Sequence, residues 1–133
     1  MDYNKLSKGN YVYCTTLHQV VSVEYISKHT IEIEHNGESV TVGHASIRAI
    51  VPTQHWMLSL GFKQHQSGYY YKDTTYRFAL INGKLHISIG DNTLGWLIQL
   101  VGSISHLQNL YYALTNEELF LQLLQEKQYI CQN

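Results

Sequence analysis

A chain of 133 residues with 44% hydrophobic side chains has the length of one ordinary domain and enough apolar material for a real core. Eleven tyrosines, with a steady supply of Ile, Val and Leu, exclude a disordered chain, which is short of such residues. Nine Lys and Arg against ten Asp and Glu give a net charge of −1, which excludes a uniformly basic nucleic-acid-binding domain but leaves room for a local patch. Cys14 and Cys131, near opposite ends, are too few for a disulfide scaffold. The first residues, Met1 to Lys5, lack the apolar run of an export signal, and no stretch of ~18 apolar residues could span a bilayer. The expectation is a cytoplasmic chain with reduced thiols and no membrane partner.

Taken in order, Tyr11-Val12-Tyr13-Cys14 and Val20 to Ile26 read as two strands. Thr30 to His35 alternates apolar and polar residues into Asn36-Gly37, and Glu38 to Val42 alternates on the way out. An Asn-Gly pair supplies the positive φ angles of a type I′ turn. A two-residue loop then sets Ile33 opposite Val40 and Ile31 opposite Val42 on one face. Glu34/Ser39 and Glu32/Thr41 fall on the wet face. With a short return at Ile47 to Ile50, this is the strand density of a small bent sheet or barrel. Pro52 marks the internal boundary: 1–52 form a small β-barrel-like unit, and 53–133 the helix, meander and C-terminal helices, the two packed as one compact unit.

Thr53 is placed to cap a short helix whose stripe is Trp56, Met57 and Leu60 and which Gly61 ends. Gly68 to Lys72 reads as a strand, joined through Asp73-Thr74 to a second hairpin turning at Asn82-Gly83. There Leu80 faces Leu85, Phe78 faces Ile87 and Tyr76 faces Ile89, with Ala79/His86 and Arg77/Ser88 on the opposite side. If Asp73-Thr74 is also a two-residue loop, Tyr71 pairs with Tyr76 and Tyr70 lies beside Arg77, sending Tyr69 and Tyr71 towards the core. Trp96 to Val101 adds a fourth strand. Ser105-x-x-Gln108 and Thr115-x-x-Glu118 are capping boxes followed by apolar residues at helical spacing, which predicts a helical hairpin or one bent helix. The fold class is α+β: an N-terminal small antiparallel β-barrel or bent sheet, a short helix, an antiparallel β-meander and a C-terminal helical hairpin.

Catalytic signatures are lacking. Eight histidines contain no His-x-His or His-x-x-x-His pair, the spacing that makes a zinc site readable, so no metal or cofactor is expected. Gly-x-Ser-x-Gly is absent, and neither cysteine has a recognisable nucleophile context. Glu117/Glu118 suit a helix start through the helix dipole. Gly90 to Gly95 lacks the Lys-Ser/Thr of a phosphate loop. The chain therefore reads as a non-enzyme.

Two stretches carry a resemblance. Residues 5–60 run from Leu6-Ser7-Lys8-Gly9-Asn10-Tyr11-Val12 through the hairpin to Ile47-Arg48-Ala49-Ile50 and the short helix. Residues 69–119 run from Tyr69-Tyr70-Tyr71-Lys72 to His106-Leu107-Gln108-Asn109-Leu110-Tyr111, the most specific block. This order is similar to a group of small uncharacterised proteins encoded by phages, prophages and related mobile elements of gut anaerobes. Ala49-Ile50-Val51-Pro52 departs from that group, whose proline comes earlier. The resemblance implies a gene of viral or mobile origin and transfers no functional residue.

The richest constellation is the outer face of the meander: Tyr70, Arg77 and Ser88 side by side, with Lys72 and His86 next to them. A guanidinium beside an aromatic ring, with hydroxyl and imidazole donors, can hold a phosphate or stack a base. An ordinary solvated face, with arginine lying over tyrosine for packing, uses the same residues. Tyr11, Tyr13 and Tyr112 join Tyr70 as candidate contacts, because tyrosine is large, stiff and amphipathic. The expected function is a non-enzymatic binding protein of anti-defence type, self-associating as a homo-oligomer and engaging a host protein or a small anionic, nucleotide-like ligand. The alternatives are a nucleic-acid module using the N-terminal barrel, less favoured as a partner class on charge, and a virion-associated structural part.

Overall fold

Both Asn-Gly steps turn the chain as their chemistry requires. Asn36 and Gly37 take φ of 52° and 83°, and Asn82 and Gly83 take 54° and 77°. These are left-handed values that asparagine and glycine tolerate best. The computed structural model describes residues 5–73, 75–89 and 100–122, Leu100 for its backbone alone. In the first half, β1 (Tyr11–Cys14), β2 (Gln19–Ile26), β3 (Thr30–His35), β4 (Glu38–Gly43) and β5 (Ile47–Arg48) form an antiparallel sheet ordered β4-β3-β2-β1-β5. The hairpin register is the one its turn dictates, Ile33 on Val40 and Ile31 on Val42.

In this sheet the β2–β3 register shifts between Val23 and Tyr25, as at a bulge. Among the described residues β4 and β5 remain its edges, so the barrel expectation gives way to an open sheet. Leu6, Val12, Cys14, Val21, Val23, Ile31, Ile33, Val42 and Ile47 bury one another as its own small core.

The second sheet is also antiparallel, with order β10-β9-β8-β7-β6. Its strands are β6 (Lys63–Gln64), β7 (Tyr70–Tyr71), β8 (Tyr76–Ile81), β9 (Lys84–Ile89) and β10 (Leu100–Val101). Of the strand expected at Trp96 to Val101, the part before Leu100 lies outside the described residues, as do Gly90 to Gly95 and Cys131. The larger core joins Tyr70, Phe78, Leu85, Ile87 and Val101 of this sheet to two helices. Helix α1 (Gln54–Ser59) gives Trp56 and Met57, and α2 (Ile104–Thr115) gives Ile104, Leu107 and Tyr111. Tyr11 and Val20 reach the same core from the reverse side of the first sheet, so the two halves share one interior. No described helix is long and apolar enough to cross a membrane.

The caps explain where the helices stop and correct two expectations. Thr53 Oγ1 accepts the Trp56 amide at 3.2 Å and caps α1 as its position suggests. The cap of α2 is Ser103, whose Oγ accepts the His106 amide at 3.1 Å, so Ser105 lies inside the first turn. Gln108 is thereby released from capping and turns to β1. Thr115 ends α2 instead of starting another helix: its Oγ1 donates to the Tyr111 carbonyl at 2.7 Å, and Asn116 follows at φ 61°. Residues 117–122 run without helix, with Leu119 in the core; the rest of the expected second helix lies outside the described residues.

Tyr111 carries a pH prediction. Its hydroxyl donates to Asp73 Oδ2 at 3.2 Å. Burial first, and then the charge of that carboxylate, push its pKa well above the usual phenol value; burial also raises Tyr11 and Tyr70. A proton held more tightly in the folded state makes folding weaker as the unfolded chain ionises. Stability from these groups is complete below the ordinary phenol pKa of about 10 and is lost as pH climbs beyond it. Melting temperature should hold up to that pH and then fall, and Tyr111→Phe should flatten part of the fall; an identical alkaline slope in that variant would contradict the assignment.

Candidate ligand-binding face

In a pleated strand, committing one set of residues to the core exposes the alternate set. With Phe78, Leu85 and Ile87 buried, the pairs Lys63 with Tyr71, Tyr71 with Arg77 and Arg77 with Ser88 form one row across β6 to β9 on the outer face. A second row holds Ala79 and His86, and Ile81 pairs with Lys84 near the turn. Beside these, the Arg77 guanidinium carbon sits 4.6 Å from the centre of the Tyr69 ring. The His65 imidazole stacks on that ring at 4.4 Å and 8°, and Tyr71 tilts towards it at 5.9 Å.

The stack is held from beneath by a tight turn. The His65 amide donates to the Tyr69 carbonyl at 2.7 Å, and the Gly68 amide returns to the His65 carbonyl at 2.9 Å. Gly68 has φ 108°, a value that glycine adopts freely. His65 Nδ1 accepts the Ser67 amide at 3.1 Å, which leaves the ring proton on Nε2 in the neutral form.

Charge is unevenly divided between the sheets, which the net value of −1 conceals. The outer face of the second sheet carries Lys63, Arg77 and Lys84 with His65 and His86, and no carboxylate among its described residues. One face of the first carries Glu32 and Glu34, with Arg48 on its far edge strand.

The candidate residues named from the sequence divide. Arg77 and His86 lie half-buried on this face, and Ser88 is in the Arg77 row but only 2% exposed, beneath the surface. Tyr70 does not lie beside Arg77: it pairs with Phe78 and is 3% exposed, in the core. The cause is the connection before β8. Asp73 Oδ1 accepts the amides of Thr75 at 2.9 Å and Tyr76 at 3.0 Å, a side-chain-closed turn that makes the connection longer than two residues. Tyr71 therefore pairs with Arg77 and not with Tyr76, and a one-residue slip exchanges the faces. Tyr69 and Tyr71, expected in the core, are the tyrosines beside Arg77. Lys72 is also displaced: its Nζ donates to the Leu60 carbonyl at 3.3 Å, where a cation complements the end of α1.

Among the other tyrosines, Tyr11 is in the core and its hydroxyl accepts the Leu121 amide at 3.0 Å. Tyr13 is half-buried opposite Arg48, and Tyr112 is exposed on α2. Lys63, His65 and Lys84 went unnamed from the sequence. The alternation Lys84-Leu85-His86-Ile87-Ser88 already placed Lys84 with His86, whereas β6 is two residues long and leaves no periodic signal. Among the described residues no three His, Cys, Asp or Glu side chains are grouped to hold a metal. A groove of about 450 Å³ also lies between residues 7–10, α2 and residues 118–120, but its floor of Asn10, Gln108 and Asn109 is engaged in hydrogen bonds within the protein. Comparison with protein-family models, curated proteins and solved structures finds no match.

Proposed function

We propose that this protein acts by binding, not catalysis, and that the outer face of its second sheet takes an anionic, nucleotide-like ligand. The observation that carries the reading is Arg77 over Tyr69, in a row of cations and rings without a described carboxylate. A guanidinium held over an aromatic ring still has N–H donors to offer phosphate oxygens. With Tyr69 engaged by both Arg77 and His65, the exposed His65 ring and the half-buried Tyr71 ring are the ones that offer stacking surface to a base. In a gene of the mobile-element kind that the sequence resembles, this chemistry suits an anti-defence protein that sequesters a nucleotide signal in the host cytoplasm. Glu32 and Glu34 on the wet face of the first sheet oppose the alternative of nucleic acid docking there.

Thermal melting with linear and cyclic nucleotides tests the reading. Ligand at 100 times its dissociation constant should stabilise the fold by about 2.7 kcal/mol, a rise of several degrees, and Arg77→Ala should abolish most of that rise. Unchanged melting with every nucleotide and short oligonucleotide at millimolar concentration would remove the proposal.

A further inference from the structure

We infer that the ligand of this face is a single-stranded nucleic acid lying across the strands, not a mononucleotide; the inference rests on the binding reading above. Its basis is the spacing of the cations. Strands lie about 4.8 Å apart and rise about 3.4 Å per residue. Lys63 is two strands from Arg77, a backbone separation of about 10 Å on those spacings. Lys84 is one strand over and four residue positions along, about 14 Å from Arg77 on the opposite side. A mononucleotide gathers its negative charge at one point and can satisfy one of these positions. Three cations spread in this way are engaged together only by a ligand whose charges are spread too, which is what a sugar–phosphate strand supplies.

The groups between the cations fit the same occupant. Tyr71 stands between Lys63 and Arg77 in the row, and the His65–Tyr69 stack and His86 occupy the adjoining positions. Rings set among cations form a platform on which successive bases stack without sequence preference, while the cations follow the backbone. Lys63 and Lys84, both exposed, mark the two ends, and Arg77, half-buried and braced by Tyr69, marks the middle. The diagonal from Lys63 to Lys84 is about 20 Å, and one phosphate per roughly 3.4 Å of a stacked strand sets the site at about six nucleotides or fewer. The chain's slightly negative total charge is no obstacle, because the potential over one face governs the encounter.

Fluorescence anisotropy on the full chain tests this with thymidine monophosphate and single-stranded thymidylates of two, four and six residues; matching uridylates separate DNA from RNA as the source. Affinity should rise at least tenfold from the monophosphate to the longest strand. Three phosphate contacts should give a slope of about −2 for log affinity against log salt, and Lys63→Ala or Lys84→Ala should each flatten it by about 0.7. Lys28→Ala, exposed on the turn between β2 and β3, should change nothing, and unshifted melting temperatures show that each variant is folded. Monophosphate binding as tight as the longest strand, or equal weakening by Lys28→Ala, would overturn the inference while leaving a nucleotide-binding protein. No binding at any length, monophosphate included, would remove both.

Discussion

Trp56→Ala should lower stability by about 3–5 kcal/mol, the usual cost of truncating a fully buried large aromatic residue. Trp56 is 1% exposed, and its ring lies 5.8 Å from that of Tyr11, on the first strand of the other half. Removing it opens a cavity where α1 meets both sheets, so the loss should appear as one lower transition, not as melting of α1 alone. Leu58, on the same helix but 43% exposed, supplies the control: Leu58→Ala should cost roughly 0.5 kcal/mol or less. Chemical denaturation followed by far-ultraviolet circular dichroism measures both. Equal losses would mean that α1 packs by a different face.

Gln108→Leu should be nearly as damaging, although it keeps volume and adds hydrophobicity. The amide is 6% exposed; its Oε1 accepts the Tyr11 amide at 2.8 Å, and its Nε2 donates to the carbonyls of Gly9 at 3.0 Å and Leu119 at 3.2 Å. Leucine leaves three backbone groups without that partner, at about 1–3 kcal/mol for each that stays buried, or roughly 3–5 kcal/mol in all. Asn109→Ala breaks bonds to the buried Asn10 and to the Lys5 carbonyl; Asn109 itself is half-buried, so water can replace part of the loss and the cost should be about 1–2 kcal/mol. Hydrogen exchange should locate the Gln108 effect in β1, with the Tyr11 amide exchanging faster than that of Ile33 in the small core. A uniform increase across both sheets would mean that the side chain does not stitch this seam.

The parts of the fold legible in the sequence are those in which short-range chemistry decides the geometry. Asn36-Gly37 and Asn82-Gly83 force positive φ and leave one register open to their flanking strands, so every pair in those hairpins follows from the turn. Thr53 is similar, because a side-chain cap reaches only three residues. The errors arise where two local solutions compete. Ser103 and Ser105 can each cap α2, and the nearer match to a capping box is not the one used, because Gln108 gains more by reaching Tyr11, ninety-seven residues away. The turn at Asp73 can close with two residues or through its carboxylate, and the choice moves Tyr70 into the core and Tyr69 and Tyr71 beside Arg77. Arg77 and His86 keep their expected face because they belong to the hairpin that a turn fixes; Lys72 does not, because it follows the slipped strand.

A ligand on the row through Arg77 should perturb that row and leave the first sheet alone. Backbone amide NMR during titration with a single-stranded hexathymidylate would show where the ligand lies. The largest shifts should fall at Lys63, His65, Tyr69, Tyr71, Arg77, Lys84 and His86, with Glu32 and Glu34 unmoved. Shifts confined to the first sheet, or to the groove beside Tyr112 and Phe120, with Arg77 and Tyr69 unchanged, would contradict it.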